Sequence, residues 1–105
     1  MLRFALRPVL VTLMLVEPAL AASPEEHRGK AYALTHCARC HSIDRATKSR
    51  IKTALPFRTL HNRYPVETLA EAFAEGIYTG HPTMPGFELN PDQIHDLLSY
   101  LKTLE

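Results

Sequence analysis

Residues 23–41 read SPEEHRGKAYALTHCARCH, and two signals inside this stretch decide the fold. Ser23-Pro24-Glu25-Glu26 places serine at a cap position, proline at the first helical position and glutamate at the third, a capping box that opens a helix. That helix runs toward Cys37. At its far end stands Cys37-Ala38-Arg39-Cys40-His41, a C-x-x-C-H sequence of the kind that attaches c-type haem. The spacing has a physical reason. Residues three and four apart on a helical turn share a face, about 5–6 Å between Cβ atoms, so two thiols reach neighbouring vinyl groups while the histidine reaches iron.

Other chemistries use the same cysteines and fit less well. A structural zinc site needs four ligands, usually two paired clusters, and the chain has no second cysteine pair; His36, His61 and His81 would have to be recruited without a recognisable spacing. A thioredoxin-like dithiol needs a strand leading into the motif, whereas a capped helix leads into this one.

Upstream, Arg3 and Arg7 precede an apolar run, and Ala19-Leu20-Ala21 offers a small-x-small cleavage site, so residues 1–21 read as an export signal and residues 22–105 as the domain. A retained membrane anchor is the alternative. The uncharged stretch from Pro8 to Val16 is nine residues, however, against roughly 20 for a spanning helix. Cleavage after Ala21 would leave 84 of the 105 residues, one small domain with no room for a second. A chain so short buries only about 60 % of its unfolded surface and normally needs a metal, a disulfide or another covalent aid.

Downstream, Asn90-Pro91-Asp92-Gln93 repeats the capping arrangement. The helix after it carries Ile94, Leu97, Leu98, Leu101 and Leu104 on one face. Between the two capped helices, Pro65 starts a segment with Val66, Leu69, Phe73 and Ile77 in register, and Gly76 is expected to end it in the left-handed conformation. No segment alternates apolar and polar residues convincingly, which predicts an all-α domain. No repeat or flexible linker divides the chain, so both halves should share one core.

The net charge of +1 gives no case for nucleic-acid binding, and 46 % hydrophobic with 22 % charged residues excludes disordered and collagen-like classes. The charges are nevertheless segregated. Arg28 to Arg63 holds nine basic residues and one acid, Asp44, whereas from Tyr64 onward there are seven acids and one base, Lys102.

A haem held by His41 has a second axial position. After signal cleavage Met84 is the only methionine left, 43 positions beyond His41 in Gly80-His81-Pro82-Thr83-Met84-Pro85-Gly86-Phe87, whose prolines and glycines argue for a fixed loop. A thioether is a soft ligand that favours ferrous iron and raises the potential, which makes Met84 the expected sixth ligand. His81 or His61 would instead give a bis-histidine site, and an empty position is the third possibility. His27, His36 and His95 read as helix-surface residues.

These residues together resemble a small bacterial class I cytochrome c over nearly the whole mature region. The matching features are the helix with Gly29 and Tyr32 running into Cys37-x-x-Cys40-His41, the loop Thr79–Pro85 around Met84, and the terminal helix with Leu97-x-x-Tyr100-Leu101. The resemblance implies that the first and last helices cross, with Gly29 allowing close approach and Tyr100 nearby, around one covalently bound haem c. A helix-interior glycine costs about 1 kcal/mol relative to alanine, so close packing is a reason to keep it. The chain departs from better-known members in lacking tryptophan, which there often bonds a haem propionate; Arg58, Tyr64 or Arg63 are the substitutes considered. Pro56 resembles the family's proline on the histidine side, where a backbone carbonyl accepts the imidazole N–H.

The function expected is one-electron transfer in the bacterial periplasm, non-enzymatic, between a donor dehydrogenase and an acceptor oxidase or reductase. No nucleic acid and no stable membrane insertion after signal cleavage are expected. The run Arg45, Lys48, Arg50, Lys52 and Arg58 would steer an acidic partner. Two alternatives remain open: a haem subunit relaying electrons within a larger oxidoreductase, and a ligand-binding or peroxidatic protein in which Met84 dissociates.

Overall fold

The computed structural model describes residues 1–5, 7–15, 21–76 and 84–105. Ala19 and Leu20 of the cleavage site, together with Ile77, Thr79, Gly80 and His81, lie outside the described residues. Three α-helices carry the domain: α1 (Pro24–His36), α2 (Leu69–Glu75) and α3 (Pro91–Lys102), with 3-10 segments at Phe57–Asn62 and Val66–Thr68. The described residues contain no strand, and the fold is all-α.

Both capping boxes form. Ser23 Oγ accepts the Glu26 N–H at 3.1 Å, and Glu26 returns its carboxylate to the Ser23 N–H at 3.4 Å. Asn90 Oδ1 accepts the Gln93 N–H at 2.9 Å while Gln93 Oε1 accepts that of Asn90 at 3.0 Å. Each box satisfies two amides that a helix start would otherwise leave without partners.

The middle helix differs from its sequence-based expectation. The segment opened by Pro65 begins as a 3-10 turn, and regular α-helix starts only at Leu69. Thr68 explains the delay: its N–H and its hydroxyl both donate to the Pro65 carbonyl, at 3.0 and 2.7 Å, and this local bonding favours the tighter turn. Gly76 ends α2 with φ 102° and ψ 119°. The positive φ is the part that glycine makes cheap, but this ψ lies outside the left-handed helical region that was expected.

One core serves both halves. Ala33 of α1, Ile43 and Leu60 of the middle region, Val66, Leu89, and Ile94, Leu97, Tyr100 and Leu101 of α3 are buried in a single cluster, with Leu98 packed at its margin. Leu97, 1 % exposed, is worth roughly 1.5–3 kcal/mol by removal of its side chain from water.

The crossing of α1 with α3 depends on Gly29. A Cβ there would strike the Asp96 carbonyl and lie 2.8 Å from Tyr100 Cβ, so the backbones meet where any larger residue would hold them apart. Beside the contact, Arg28 grips Asp96 with two bonds, Nε to Oδ2 at 2.9 Å and Nη2 to Oδ1 at 3.1 Å. Before the domain, the apolar side chains Leu2, Phe4, Val9, Leu10 and Leu13 are all exposed. No helix among the described residues is long and apolar enough to cross a membrane.

Candidate functional site

The end of α1 turns directly into the motif. The N–H of Cys37 and that of Ala38 both donate to the Ala33 carbonyl, and the amides of Cys40 and His41 donate to the Cys37 carbonyl at 3.2 and 3.0 Å. One tight turn therefore presents Cys37, Cys40 and His41 to the same side. All three line a cavity of about 620 Å³ whose other walls come from every part of the domain: Ile51 and Leu55 from the loop, Phe57 and Leu60 from the first 3-10 segment, Leu69 and Phe73 from α2, Leu97 and Leu101 from α3. Met84 lines the same cavity. The four site residues expected from the sequence thus meet around one largely apolar space.

His41 is held in one orientation. Its Nδ1 lies 2.7 Å from the Leu55 carbonyl, which fixes that nitrogen as the donor and reserves Nε2 for any ligand role. The acceptor belongs to the residue before Pro56, and Pro56 itself, with φ −61° and ψ 134°, starts the following 3-10 segment. Phe57 packs on the imidazole with centroids 4.9 Å apart and planes tilted by 34°. The cysteines are not bonded to each other. Burial pushes the Cys37 thiol up to about 11, so it stays protonated at neutral pH.

The loop behind His41 is built from side chains whose roles no periodicity announces. Asp44 Oδ1 accepts the amides of Ala46 and Thr47 at 2.8 and 2.7 Å, and its other oxygen accepts the Thr47 hydroxyl. These bonds, that from Thr47 foremost, hold the carboxyl below the usual carboxylate range. Ser42 donates its N–H to Ser49 Oγ, and its carbonyl accepts the Phe57 N–H at 2.9 Å. Arg58 is committed to this loop: Nη1 donates to the Thr47 carbonyl at 2.7 Å and to Ser42 Oγ at 3.2 Å. It does not line the cavity, nor does Arg63. Of the three residues considered for a propionate, Tyr64 alone reaches the cavity wall.

Tyr100 ties the two sides of the site together. Its buried hydroxyl donates to the Ile43 carbonyl at 2.6 Å, pinning the loop just after His41 to α3. On the opposite wall the Leu89 N–H donates to the Phe73 carbonyl at 2.9 Å, which anchors the segment that carries Met84. Sequence reading missed both bonds, along with Phe57. A tyrosine on the buried face of α3 was the available signal for the first; the Leu89 amide left none.

The family model for Cytochrome c matches residues 26–105. The chain belongs to the cytochrome c family. No curated protein and no solved structure matches it significantly. Members of this family bind haem c covalently and are generally electron carriers, so the chain is a haem-binding electron-transfer protein. The residues fit that group. Cys37 and Cys40 have the spacing of the attachment motif, His41 offers an imidazole already oriented by its hydrogen bond to Leu55, and Met84 adds a soft thioether to the wall of an apolar space.

Proposed function

We propose that the protein is a periplasmic one-electron carrier in which Cys37 and Cys40 attach one haem through thioethers and His41 and Met84 are its axial ligands. The observation that carries this reading is the convergence of all four residues on one cavity, with His41 Nδ1 already engaged by Leu55. When bound, the haem supplies an iron that takes up and releases a single electron.

The chain's own residues set the conditions for that exchange. The Leu55 carbonyl accepts a hydrogen bond from His41 Nδ1–H and so holds the ring in one orientation. Met84 favours the reduced iron, and leucine and phenylalanine side chains exclude water, which also penalises the more highly charged state. Were His41 and Met84 both to hold the haem iron, no position on it would be left for a substrate. No arginine–histidine pair is recognisable in the sequence for assisting cleavage of an oxygen–oxygen bond.

Export by residues 1–21 with cleavage after Ala21 is supported by Arg3 and Arg7 ahead of the apolar run and by the exposure of Val9, Leu10, Leu13 and Leu15 within it, which the domain does not bury. The partners are a donor dehydrogenase and an acceptor oxidase or reductase. Arg45, Lys48, Arg50 and Lys52 are exposed, and none makes an ion pair among the described residues, so they are available to steer an acidic partner.

Expression with haem-maturation machinery tests the assignment. The haem should stay with the polypeptide through acid-acetone extraction, mass spectrometry should give the chain from Ala22 plus one haem, and a redox titration should follow a one-electron curve. Recovery of an unmodified chain, or one carrying zinc, would overturn it.

A further inference from the structure

Three aromatic rings join the last turn of α1 to the segment that carries Met84. His36 lies 4.3 Å from Tyr32, centroid to centroid, with planes tilted by 34°. It also meets Phe87 in an edge arrangement at 6.2 Å and 74°. The first contact is local, between residues four apart on one helix. The second is tertiary and crosses from α1 to the other wall.

Phe87 lies three residues after Met84, and His36, Met84 and Phe87 all line the cavity. Pro85, Gly86 and Glu88 are exposed, so between Met84 and the buried Leu89 the only side chain packed against the core is Phe87. Whatever fixes Phe87 therefore fixes the chain closest to Met84 on its C-terminal side. His36 is itself exposed. Its ring contacts with Tyr32 and Phe87 account for its position without any ligand role.

We propose that His36 is a positioning residue: braced on Tyr32, its ring holds Phe87 and so keeps Met84 in the cavity wall. The inference rests on the reading of Met84 as an axial ligand. An edge-to-face contact draws on the ring quadrupole, so the device requires an aromatic ring at position 36 rather than a charge.

The test uses the oxidised holoprotein with imidazole as the probe, because imidazole competes with the methionine thioether for ferric iron and reports how readily the segment swings away. His36→Ala is a fair variant, since alanine is the better helix former and α1 is not weakened. Its imidazole affinity should rise roughly 2- to 10-fold, the range set by one aromatic pair. His36→Phe should restore the native affinity. Phe87→Ala should raise it by a similar factor, and the double variant should rise no further than the singles, as coupled residues do. Leu34→Ala, an exposed change on the same helix, should have no effect.

Unchanged affinity in His36→Ala, failure of His36→Phe to restore it, or additive effects in the double variant would each overturn the proposal. A native protein lacking the near-infrared methionine-to-iron band would instead overturn the ligand reading beneath it. The two failures are therefore distinguishable.

Discussion

At the crossing of α1 with α3, backbone meets backbone: Gly29 lets the helices touch, Arg28 grips Asp96, and Ala33 and Leu97 are almost fully buried. Around the cavity the arrangement is the reverse. Residues 41–64 form turns and a 3-10 segment held by short-range backbone bonds and by single side chains such as Asp44 and Arg58, and their apolar groups line a space of about 620 Å³. The crossing is closed by the chain itself. The wall is a shell whose apolar lining would gain further contacts from a group bound at its centre.

The sharpest way to break this comparison is to remove the covalent group. In Cys37→Ala/Cys40→Ala, prepared without haem, the domain should be largely unfolded, since small metallo-domains draw folding free energy from what they bind. Hydrogen exchange should find amides of residues 42–62 unprotected, with any residual protection confined to α1 and α3. Equal, native-like protection in both regions would show that the wall stands on its own.

The next largest effect is expected at the crossing. Gly29→Ala puts a methyl group into the Asp96 carbonyl, and overpacking of this kind costs about 1–3 kcal/mol. In a domain of this size the holoprotein should melt roughly 5–20 °C lower. Its visible spectrum should be unchanged, because Gly29 itself does not line the cavity.

How far the sequence reveals these two regions differs for the same physical reason. α1, α3 and the site turn are legible because caps, period and motif are local patterns: Ser23 and Glu26, Asn90 and Gln93, Cys37 to His41. The middle helix is half legible, since its apolar register is clear while Thr68 bonding back to Pro65 shifts its start. The wall is scarcely legible. Its decisive bonds join His41 to Leu55, Arg58 to Thr47 and Tyr100 to Ile43, and all three end on backbone carbonyls that any residue type would supply equally. Arg58 shows what charge alone does not reveal: its guanidinium braces its own loop through the Thr47 carbonyl and Ser42, and it does not line the cavity.

Tyr100→Phe separates the two regions at a smaller scale. The change keeps the packed ring but leaves the Ile43 carbonyl without its donor, at a cost of about 1–3 kcal/mol if that group stays dry. Chemical denaturation should register the loss, and exchange should speed up in residues 42–47 more than in α1.

The smallest effect concerns the ion pair. Hydrogen bonding from Arg28 holds the Asp96 carboxyl below its usual range. A carboxyl lowered on folding adds stability above its unfolded pKa, and that contribution is lost as pH falls through the folded value. Asp96→Asn should therefore flatten the acid limb of a stability-against-pH curve and change little at low pH. An identical slope in the variant would mean that the pair contributes nothing to the crossing.

The claim that His41 and Met84 close one haem between them is tested most directly by comparing native protein with Met84→Ala. The oxidised native form should show the weak near-infrared band of methionine on ferric iron, and its reduced form should take up carbon monoxide poorly. In Met84→Ala the band should vanish, carbon monoxide should bind readily and the potential should fall. A variant that keeps a six-coordinate spectrum, or a native protein that already binds carbon monoxide rapidly, would contradict the assignment of Met84 and with it the closed, electron-carrying site.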